Sequence, residues 1–309
     1  MAGSPLQDRL LDCTDPARRG DAMTRAAEAV GAGKVVVLPT DTVYGVGADA
    51  FDVVAVAMVL AAKHRGREMP PPVLVPSPRT VDGLAIDVPM YAKILMRQFW
   101  PGPLTVVLRA QPSLRWDLGE TNGTVALRMP DDDVALTLLT EVGPMAVTSA
   151  NLTGQPAATT GQEAMDQLGG AVAVYLDDGP RTGGLPSTIV DCTGEEPVLL
   201  RVGALSPEEI RGVLGTTVLH DAPPVAPEGE PQEDGGAEPQ EDGGADAQED
   251  VRLEPQGDSR ADAQQDVRAE SQEATADEPP PAETHARLVG GILPSGVPVP
   301  ASAVRTLAP

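Results

Sequence analysis

The chain has 309 residues and a formal net charge of −24, and the charge is uneven because residues 221–309 hold 20 acidic residues against five arginines. A charged N-terminus and the lack of any long apolar stretch argue against a signal peptide or membrane span, so we expect a cytoplasmic protein. The two cysteines and three histidines fit no zinc-binding spacing, which argues against a zinc site.

Up to Gly215 the chain alternates between segments typical of helices and of strands. Ala-rich or amphipathic segments predict helices at 21–30, 51–63, 89–99, 131–143, 164–170 and 206–215. Apolar runs bounded by Gly, Pro or polar residues predict strands at 33–40, 70–78, 104–110, 123–130, 143–151, 171–179, 187–193 and 198–203. Because several consecutive strands have no helix between them, we expect an α/β (α+β) fold with a twisted mixed β-sheet flanked by helices in a single domain.

Three predicted helices begin with residues that favour N-terminal capping. Asp52 precedes the second helix, and Ser206 with Glu209 forms a capping-box pattern in the last one. Three consecutive aspartates at 131–133 could hold a metal ion, but at a helix start they are more typical of capping charge. We therefore expect no metal site built from protein ligands.

The C-terminal part differs in composition from the rest. It has no aromatic residue and is rich in Pro, Gly, Gln and Glu, so it cannot bury enough apolar surface to offset its ordering entropy, and we expect disorder over about 220–284. Glutamines at regular octad spacing from 232 to 272 reveal a repeat, which favours a solvated tail over a solenoid because the octads lack an apolar face. The apolar end of the chain is either a docking segment or low-complexity sequence.

The segment PTDTVYGVG (39–47) follows the apolar run 35–38 and places hydroxyls, a carboxylate and two glycines at a strand end. We interpret it as part of a binding site in which Gly45 and Gly47 let the backbone approach a ligand, although a well-satisfied turn would look similar. The basic cluster KHRGR (63–67) ends the second helix. Its cations complement the helix dipole, and the same concentration of charge suits a triphosphate.

Polar residues also lie at the margins of two later apolar runs, at 148–151 and 186–188, while Arg128 and Arg201 end two other strands. Hydroxyl residues at strand ends are most often turn formers. Three such clusters together with two guanidiniums favour a site that surrounds an amino acid and a nucleotide. No Ser-His-Asp order or nucleophile elbow is present, which disfavours acyl-enzyme chemistry.

Seven segments resemble, in order, the YrdC-type threonylcarbamoyl-AMP synthases: PTDTVYGVGADA, the KxR of Lys63 and Arg65, WPGPLTVVL, TVALRMP, TSANLTGQPA, PSTIVD and LLRVGAL. The resemblance implies a YrdC-like catalytic domain at 15–215. Outside it lie an N-terminal extension at 1–14 and an acidic tail at 216–309, which from its composition we expect to be mostly disordered. This tail does not resemble the folded C-terminal domain of longer family members, so the chain is similar to the short form with an added tail.

The resemblance implies a nucleotidyltransferase that makes L-threonylcarbamoyladenylate from L-threonine, bicarbonate or CO₂, and ATP, with release of pyrophosphate. Mg²⁺ is the cofactor expected with ATP. The product would pass to the tRNA-modifying threonylcarbamoyl transferase machinery, which forms N6-threonylcarbamoyladenosine at position 37 of tRNAs that read ANN codons. Because the chain up to His220 has a net charge of −9, we expect only weak or indirect RNA contact.

The resemblance also implies the site, position by position. The expected threonine contacts are Thr42, Arg128, Ser149 and Ser187. The expected ATP contacts are Lys63, Arg65, Thr124, Asn151, Thr159 and Arg201, of which Lys63 and Arg65 are the expected catalytic cations. The family's Asn-containing loop is replaced here by MPPPVL at 69–74, so two polar ligand contacts are missing.

Two rival functions remain open at this point. A carbamoyl transferase of the hydrogenase-maturation type uses the same fold, but the acylphosphatase-like and zinc-finger segments of such chains are not visible in the sequence. A non-catalytic RNA-binding module is disfavoured by the net negative charge of the chain up to His220.

Overall fold

The computed structural model describes residues 6–222, so the predictions for the chain from residue 223 onward lie outside the described residues. The described part contains seven α-helices: α1 (Pro16–Gly31), α2 (Val53–Ala62), α3 (Val81–Leu84), α4 (Met90–Phe99), α5 (Asp133–Val142), α6 (Gly161–Leu168) and α7 (Pro207–Leu214). Its twelve strands are β1 (Leu10–Asp12), β2 (Val36–Leu38), β3 (Gly45–Asp49), β4 (Val73–Leu74), β5 (Ala85–Ile86), β6 (Leu104–Ala110), β7 (Thr124–Arg128), β8 (Met145–Ser149), β9 (Val174–Asp177), β10 (Thr188–Asp191), β11 (Val198–Arg201) and β12 (His220–Asp221).

All twelve strands belong to one mixed sheet. Eleven of them lie in the order β1-β9-β2-β3-β8-β4-β7-β6-β10-β11-β12, and β5 pairs with β6 outside this path. The central pairs β3–β8, β8–β4 and β7–β6 are antiparallel, whereas β4–β7 and β6–β10 are parallel. The predicted α/β fold with a mixed sheet flanked by helices is confirmed.

The helices cover the sheet through three hydrophobic clusters. One cluster packs Leu95 of α4 and Ile210 of α7 against Val106 and Leu127 of the central strands. A second cluster joins α1 and α5 to β2 and β8, and a third joins α2 and α6 to β3 and β9. Successive residues of a strand point to opposite faces. The residues that alternate with Val106 and Leu127 along these strands are therefore free to build a site on the other face.

The predicted caps form as the sequence indicates. The side chain of Asp52 accepts hydrogen bonds from the first turn of α2, and Ser206 and Glu209 form a complete capping box at α7. Asp132 accepts from the backbone of α5, which is the capping role expected of the aspartate run. Helix α1 begins earlier than predicted, because Asp15 caps it and a proline occupies its first position.

Two short strands extend the sheet at its ends. β1 pairs in parallel with β9, and β12 pairs in parallel with β11. Both lie beyond the limits of 15 and 215 that the resemblance implies for the domain. Among the described residues, no helix combines the length and apolar composition needed to cross a bilayer.

The glycines of PTDTVYGVG allow close packing of β3 against β8, and Gly45 also lines the cavity described below, so the interpretation that they let the backbone approach a ligand stays a prediction. They lie in β3, whose backbone pairs closely with β8. A Cβ atom added at Gly45 would lie 2.5 Å from a methyl carbon of Val147, and one added at Gly47 would lie 2.5 Å from the other methyl carbon and 2.6 Å from the carbonyl oxygen of Ala146. The neighbouring strand therefore fills the space next to both glycines.

Candidate active site

A cavity of about 300 Å³ opens on one face of the sheet. β6 and β7 contribute alternate residues to its lining, so side chains that share one face of the sheet meet there, and β8 and β10 add further residues. Six of the predicted site residues line it: Thr42, Arg65, Arg128, Ser149, Ser187 and Arg201. They come from segments that are far apart in the chain, and the sheet order brings them together.

Arg128 is held rigidly at the end of β7. Its side chain is buried, and it donates hydrogen bonds to the carbonyl oxygen of Gly102 (3.1 Å) and to Thr42 Oγ1 (3.0 Å) and forms an ion pair with Asp41. Burial lowers the pKa of Arg128, and the negative charge of Asp41 opposes that shift. A guanidinium has five N–H groups, so two remain for a ligand in the cavity.

The hydroxyl of Thr42 has a defined hydrogen-bonding direction. Thr40 donates its own hydroxyl proton to the carbonyl oxygen of Val43 at 2.6 Å, so the 3.0 Å contact between the two threonine hydroxyls requires Thr42 to donate. Thr42 also accepts from Arg128. One lone pair of its oxygen is left, which suits it to accept a hydrogen bond from the amine or the hydroxyl of a bound amino acid.

Lys63 lies directly behind the cavity wall. It is 3% exposed, and its ammonium donates to the carbonyl oxygens of Ser149 and Asn151 and to the side-chain oxygen of Asn151. Burial lowers the pKa of Lys63 to about 8, and the nearby positive charge of Arg65 contributes to the shift. Lys63 thus fixes the end of β8 and places a positive charge beside the cavity, but it is not among the lining residues.

Arg65 and Arg201 also face the cavity. Arg65 donates to Thr148 Oγ1 (2.9 Å), and its Nε is buried without a hydrogen-bond partner among the described residues. Arg201 donates twice to the carbonyl oxygen of Ser187 (3.1 and 2.9 Å). Although Arg201 keeps an exposed edge, partial removal from water lowers its pKa, and the charges of Arg128 and Arg65 lower it further. Arg201 is therefore close enough to Arg128 and to Arg65 for the positive charges of both to act on it.

Thr105 is a lining residue that the sequence analysis missed. It is fully buried, and its hydroxyl lies 2.8 Å from that of Ser187, which also accepts from Arg201 at 3.2 Å. A threonine in the apolar strand LTVVL was the available signal, because a buried hydroxyl needs a partner. Thr40 and Thr148 also line the cavity.

Besides Lys63, three of the expected ATP contacts do not line the cavity. Thr124 donates to the carbonyl oxygen of Thr121 (2.7 Å), and Thr159 donates to Glu163 (2.9 Å). Asn151 donates to two neighbouring carbonyl oxygens and accepts from Lys63. Each side chain has a structural partner within the domain, so contact of these three residues with ATP stays a prediction.

The loop that departs from the family pattern forms an apolar wall. Pro70, Pro72 and Leu74 line the cavity at the loop where the family pattern has polar side chains and this sequence does not. Apolar side chains here can exclude water from the cavity, but they offer no hydrogen bond to a ligand.

The described residues provide no cluster of metal ligands and no reactive thiol. Within residues 6–222, no group of three or more His, Cys, Asp or Glu side chains is arranged to hold a metal ion. Cys13 and Cys192 are buried free thiols, and burial raises their pKa values to about 11 and about 12. Both thiols are therefore protonated and unreactive at neutral pH.

Comparison with known proteins identifies similar sequences over this region. The family model that matches is named Sua5_yciO_yrdC, is described as telomere recombination, and covers residues 28–203. A Mycobacterium tuberculosis protein, provisionally named a threonylcarbamoyl-AMP synthase, is 54% identical over 205 residues, which are 66% of this chain and 94% of that protein. The threonylcarbamoyl-AMP synthase of Bacillus subtilis is 38% identical over 208 residues, which are 66% of this chain and 60% of that protein.

A solved structure, P. abyssi Sua5 complexed with L-threonine, has the same fold, with a TM-score of 0.64 and 35% sequence identity. The similarity covers 68% of this chain and 62% of the P. abyssi chain, so this chain spans only about three fifths of the length of that protein. By contrast, the M. tuberculosis protein is matched over nearly its whole length.

Proposed function

This chain belongs to the Sua5/YciO/YrdC family, and on that premise we propose that it is a nucleotidyltransferase that joins L-threonine, bicarbonate or CO₂, and ATP into L-threonylcarbamoyladenylate with release of pyrophosphate. The observation that carries the proposal is the meeting of three guanidiniums and several hydroxyls in one cavity. Its similarity to threonylcarbamoyl-AMP synthases supports this choice of reaction.

Threonine would bind at the end of the cavity that contains Arg128. The two free N–H groups of Arg128 suit the carboxylate, since a guanidinium makes forked contacts with this group. Thr42 can accept a hydrogen bond from the amine or the hydroxyl of threonine, and Ser149 and Ser187 offer further small polar contacts. These four residues are the threonine contacts that the resemblance implied.

The phosphates of ATP would lie near Arg65 and Arg201. Both guanidiniums face the cavity and have only neutral hydrogen-bond partners among the described residues, so their charge is available to phosphate. Lys63 adds a third positive charge from behind the wall. Contacts of ATP with Thr124, Asn151 and Thr159 would require the nucleotide to extend beyond the cavity.

The reaction needs two bond-forming steps and no protein nucleophile. The amine of threonine adds to CO₂ and loses a proton, which yields a carbamate. A carbamate oxygen then attacks the α-phosphorus of ATP, and the bond to the β-phosphate oxygen breaks as pyrophosphate leaves. Both reactants are anionic, so the cations lower the cost of bringing them together. Orienting two bound reactants can supply roughly 7–11 kcal/mol of the barrier reduction.

Mg²⁺ would accompany ATP rather than occupy a site of its own in the protein. Magnesium in nucleotide sites takes phosphate oxygens and waters as ligands, with one or two carboxylates. When bound, the ion would neutralise phosphate charge at the end of the cavity that contains Arg65 and Arg201.

The product is a reactive mixed anhydride, so we expect a separate threonylcarbamoyl transferase to consume it for tRNA modification at adenosine 37. The chain up to His220 has a net charge of −9, which disfavours tight binding of nucleic acid. We accordingly propose that contact with RNA is weak or indirect and that the enzyme acts in the cytoplasm.

The decisive experiment measures pyrophosphate release by the purified full-length chain. We expect release only when ATP, L-threonine and bicarbonate are all present, together with a product in which AMP is linked to the threonylcarbamoyl group, identified by mass spectrometry. Use of carbamoyl phosphate in place of threonine and bicarbonate would indicate the carbamoyl transferase instead. RNA binding without pyrophosphate release would indicate the RNA-binding module.

A further inference from the structure

The three guanidiniums of the cavity differ in their counter-ions. Arg128 is ion-paired with Asp41. Arg65 and Arg201 form no ion pair among the described residues, and their hydrogen-bond acceptors there are hydroxyl and carbonyl oxygens. Glu68 acts electrostatically on Arg65, but no ion pair joins them. The part of the cavity next to Arg128 is therefore close to neutral, whereas Arg65 and Arg201 carry two unpaired positive charges, and these two regions are called its two ends below.

Asp41 is a fixed charge behind Arg128. Its side chain is 13% exposed, and Oδ1 accepts hydrogen bonds from Arg128 and from the backbone N–H of Asp131 (3.1 Å). Its other oxygen, Oδ2, is fully buried with no partner among the described residues. Asp41 is not a lining residue of the cavity, so a ligand would feel its charge without touching it.

We propose that Asp41 determines which substrate each end of the cavity accepts, by cancelling the charge of Arg128 while the charges of Arg65 and Arg201 stay free. This proposal rests on the proposed function for the identity of the substrates. A zwitterionic amino acid has no net charge, and it suits the neutral end because Arg128 contacts its carboxylate while Asp41 attracts its ammonium group.

Phosphate groups behave differently at the two ends. Pyrophosphate and the triphosphate of ATP carry several negative charges, which Asp41 repels, so at Arg128 the attraction and the repulsion largely cancel. At Arg65 and Arg201 no ion-paired carboxylate among the described residues opposes the attraction. Without Asp41, all three guanidiniums would attract phosphate, and ATP could occupy the threonine end and block the second substrate.

The test measures binding of pyrophosphate and of L-threonine to the full-length protein by calorimetry, which does not depend on turnover. In the wild type we expect the two ligands to bind together without competing. In Asp41→Asn we expect pyrophosphate to bind at least tenfold more tightly and to compete with threonine. Asp41→Glu keeps the negative charge, so we expect it to bind pyrophosphate and threonine together without competition, as in the wild type.

A charge-neutral double variant isolates the role of Arg128. Asp41→Asn combined with Arg128→Gln keeps this end of the cavity uncharged, so we expect pyrophosphate affinity within about twofold of the wild type and loss of threonine binding. This variant decides the question even if Asp41→Asn alone does not fold. Unchanged pyrophosphate affinity in Asp41→Asn, or loss of pyrophosphate binding in the double variant, would overturn the proposal. Either result is compatible with full turnover of the wild-type protein, so neither would by itself refute the proposed function.

Discussion

Lys63 shows how burial changes the properties of a single residue. Its ammonium is enclosed by three oxygen acceptors from Ser149 and Asn151, and no carboxylate pairs with it among the described residues. Burial therefore lowers its pKa to about 8. Below pH 8 the side chain is cationic and can favour phosphate binding, and above pH 8 this contribution disappears.

We expect kcat/KM for ATP to fall as the pH rises through about 8, since this parameter reports ionisations of the free enzyme. In Lys63→Arg the alkaline decline should shift to higher pH, because a guanidinium stays protonated there. The measurement is the pH profile of pyrophosphate release at saturating threonine and bicarbonate for both proteins. Identical alkaline limbs in the two profiles would show that Lys63 does not control the decline.

Arg65 and Arg67 provide a matched pair within the basic cluster. Arg65 lines the cavity, whereas Arg67 is exposed and paired with Asp117 at 2.7 Å. We expect Arg65→Ala to reduce kcat/KM by ~100-fold or more, the typical loss when a charge-stabilising donor is removed. Arg67→Ala should stay within about twofold of the wild type.

We expect Lys63→Ala to abolish turnover. This substitution removes the positive charge and leaves the carbonyl oxygens of Ser149 and Asn151 without the donor that Lys63 provides. Circular dichroism must show that each variant is folded. If Arg65→Ala and Lys63→Ala both retained wild-type turnover, the assignment of the cluster to phosphate binding would be wrong.

At the scale of elements, the pairing of β3 with β8 sets the geometry of the site. Gly45 and Gly47 allow β3 to lie against Val147, and Ser149 at the end of the same strand lines the cavity. Larger residues at either glycine would push the strands apart, and overpacking of this kind typically costs about 1–3 kcal/mol.

We predict that Gly45→Ala and Gly47→Ala each destabilise the domain by about 1–3 kcal/mol, measured by urea unfolding. Val147→Ala should compensate for Gly45→Ala, since the added Cβ meets a Val147 methyl carbon and otherwise only more distant atoms. It should not compensate for Gly47→Ala, because the carbonyl oxygen of Ala146 remains 2.6 Å away. A double-mutant cycle tests this difference, and equal coupling at both glycines would contradict it.

At the scale of the whole molecule, the described domain contains a complete sheet and a cavity whose lining residues all lie between Thr40 and Arg201. The M. tuberculosis protein is matched over 94% of its length by 205 residues of this chain. The acidic residues beyond the domain therefore have no counterpart of similar extent in that relative, and we expect the domain alone to suffice for catalysis.

A version that ends after Ala222 should keep kcat/KM within about twofold of the full chain. Ending the chain after Gly215 removes β12 and the buried side chain of Leu219, so we expect lower stability, because burying a leucine typically contributes about 1.5–3 kcal/mol. Thermal unfolding and pyrophosphate release of both versions provide the check. Loss of turnover in the version that ends after Ala222 would show that the residues beyond Ala222 are needed for catalysis.

Local patterns in the sequence determined much of the fold. Alternating apolar segments predicted most strands and helices, and the capping residues Asp52 and Ser206 were correctly predicted because a cap depends on only a few neighbouring positions. The strands β1, β3, β5 and β12 and the short helix α3 escaped prediction. β1, β5, β12 and α3 are too short to show a period, and β3 contains two glycines, which are depleted in strands. The positions of Arg128 and Arg201 at strand ends also followed from the pattern.

Only the tertiary structure decided how these residues act together. Pairing across the sheet brings Thr42, Arg128 and Arg201 to one cavity, and no local pattern encodes the order of strands that are distant in sequence. In the tertiary structure Lys63 is also buried behind the cavity wall, Asp41 pairs with Arg128, and the side chain of Val147 fills the space beside Gly45. The physical reason is that burial, charge pairing and close packing depend on what surrounds a residue in space, whereas a sequence lists only its neighbours along the chain.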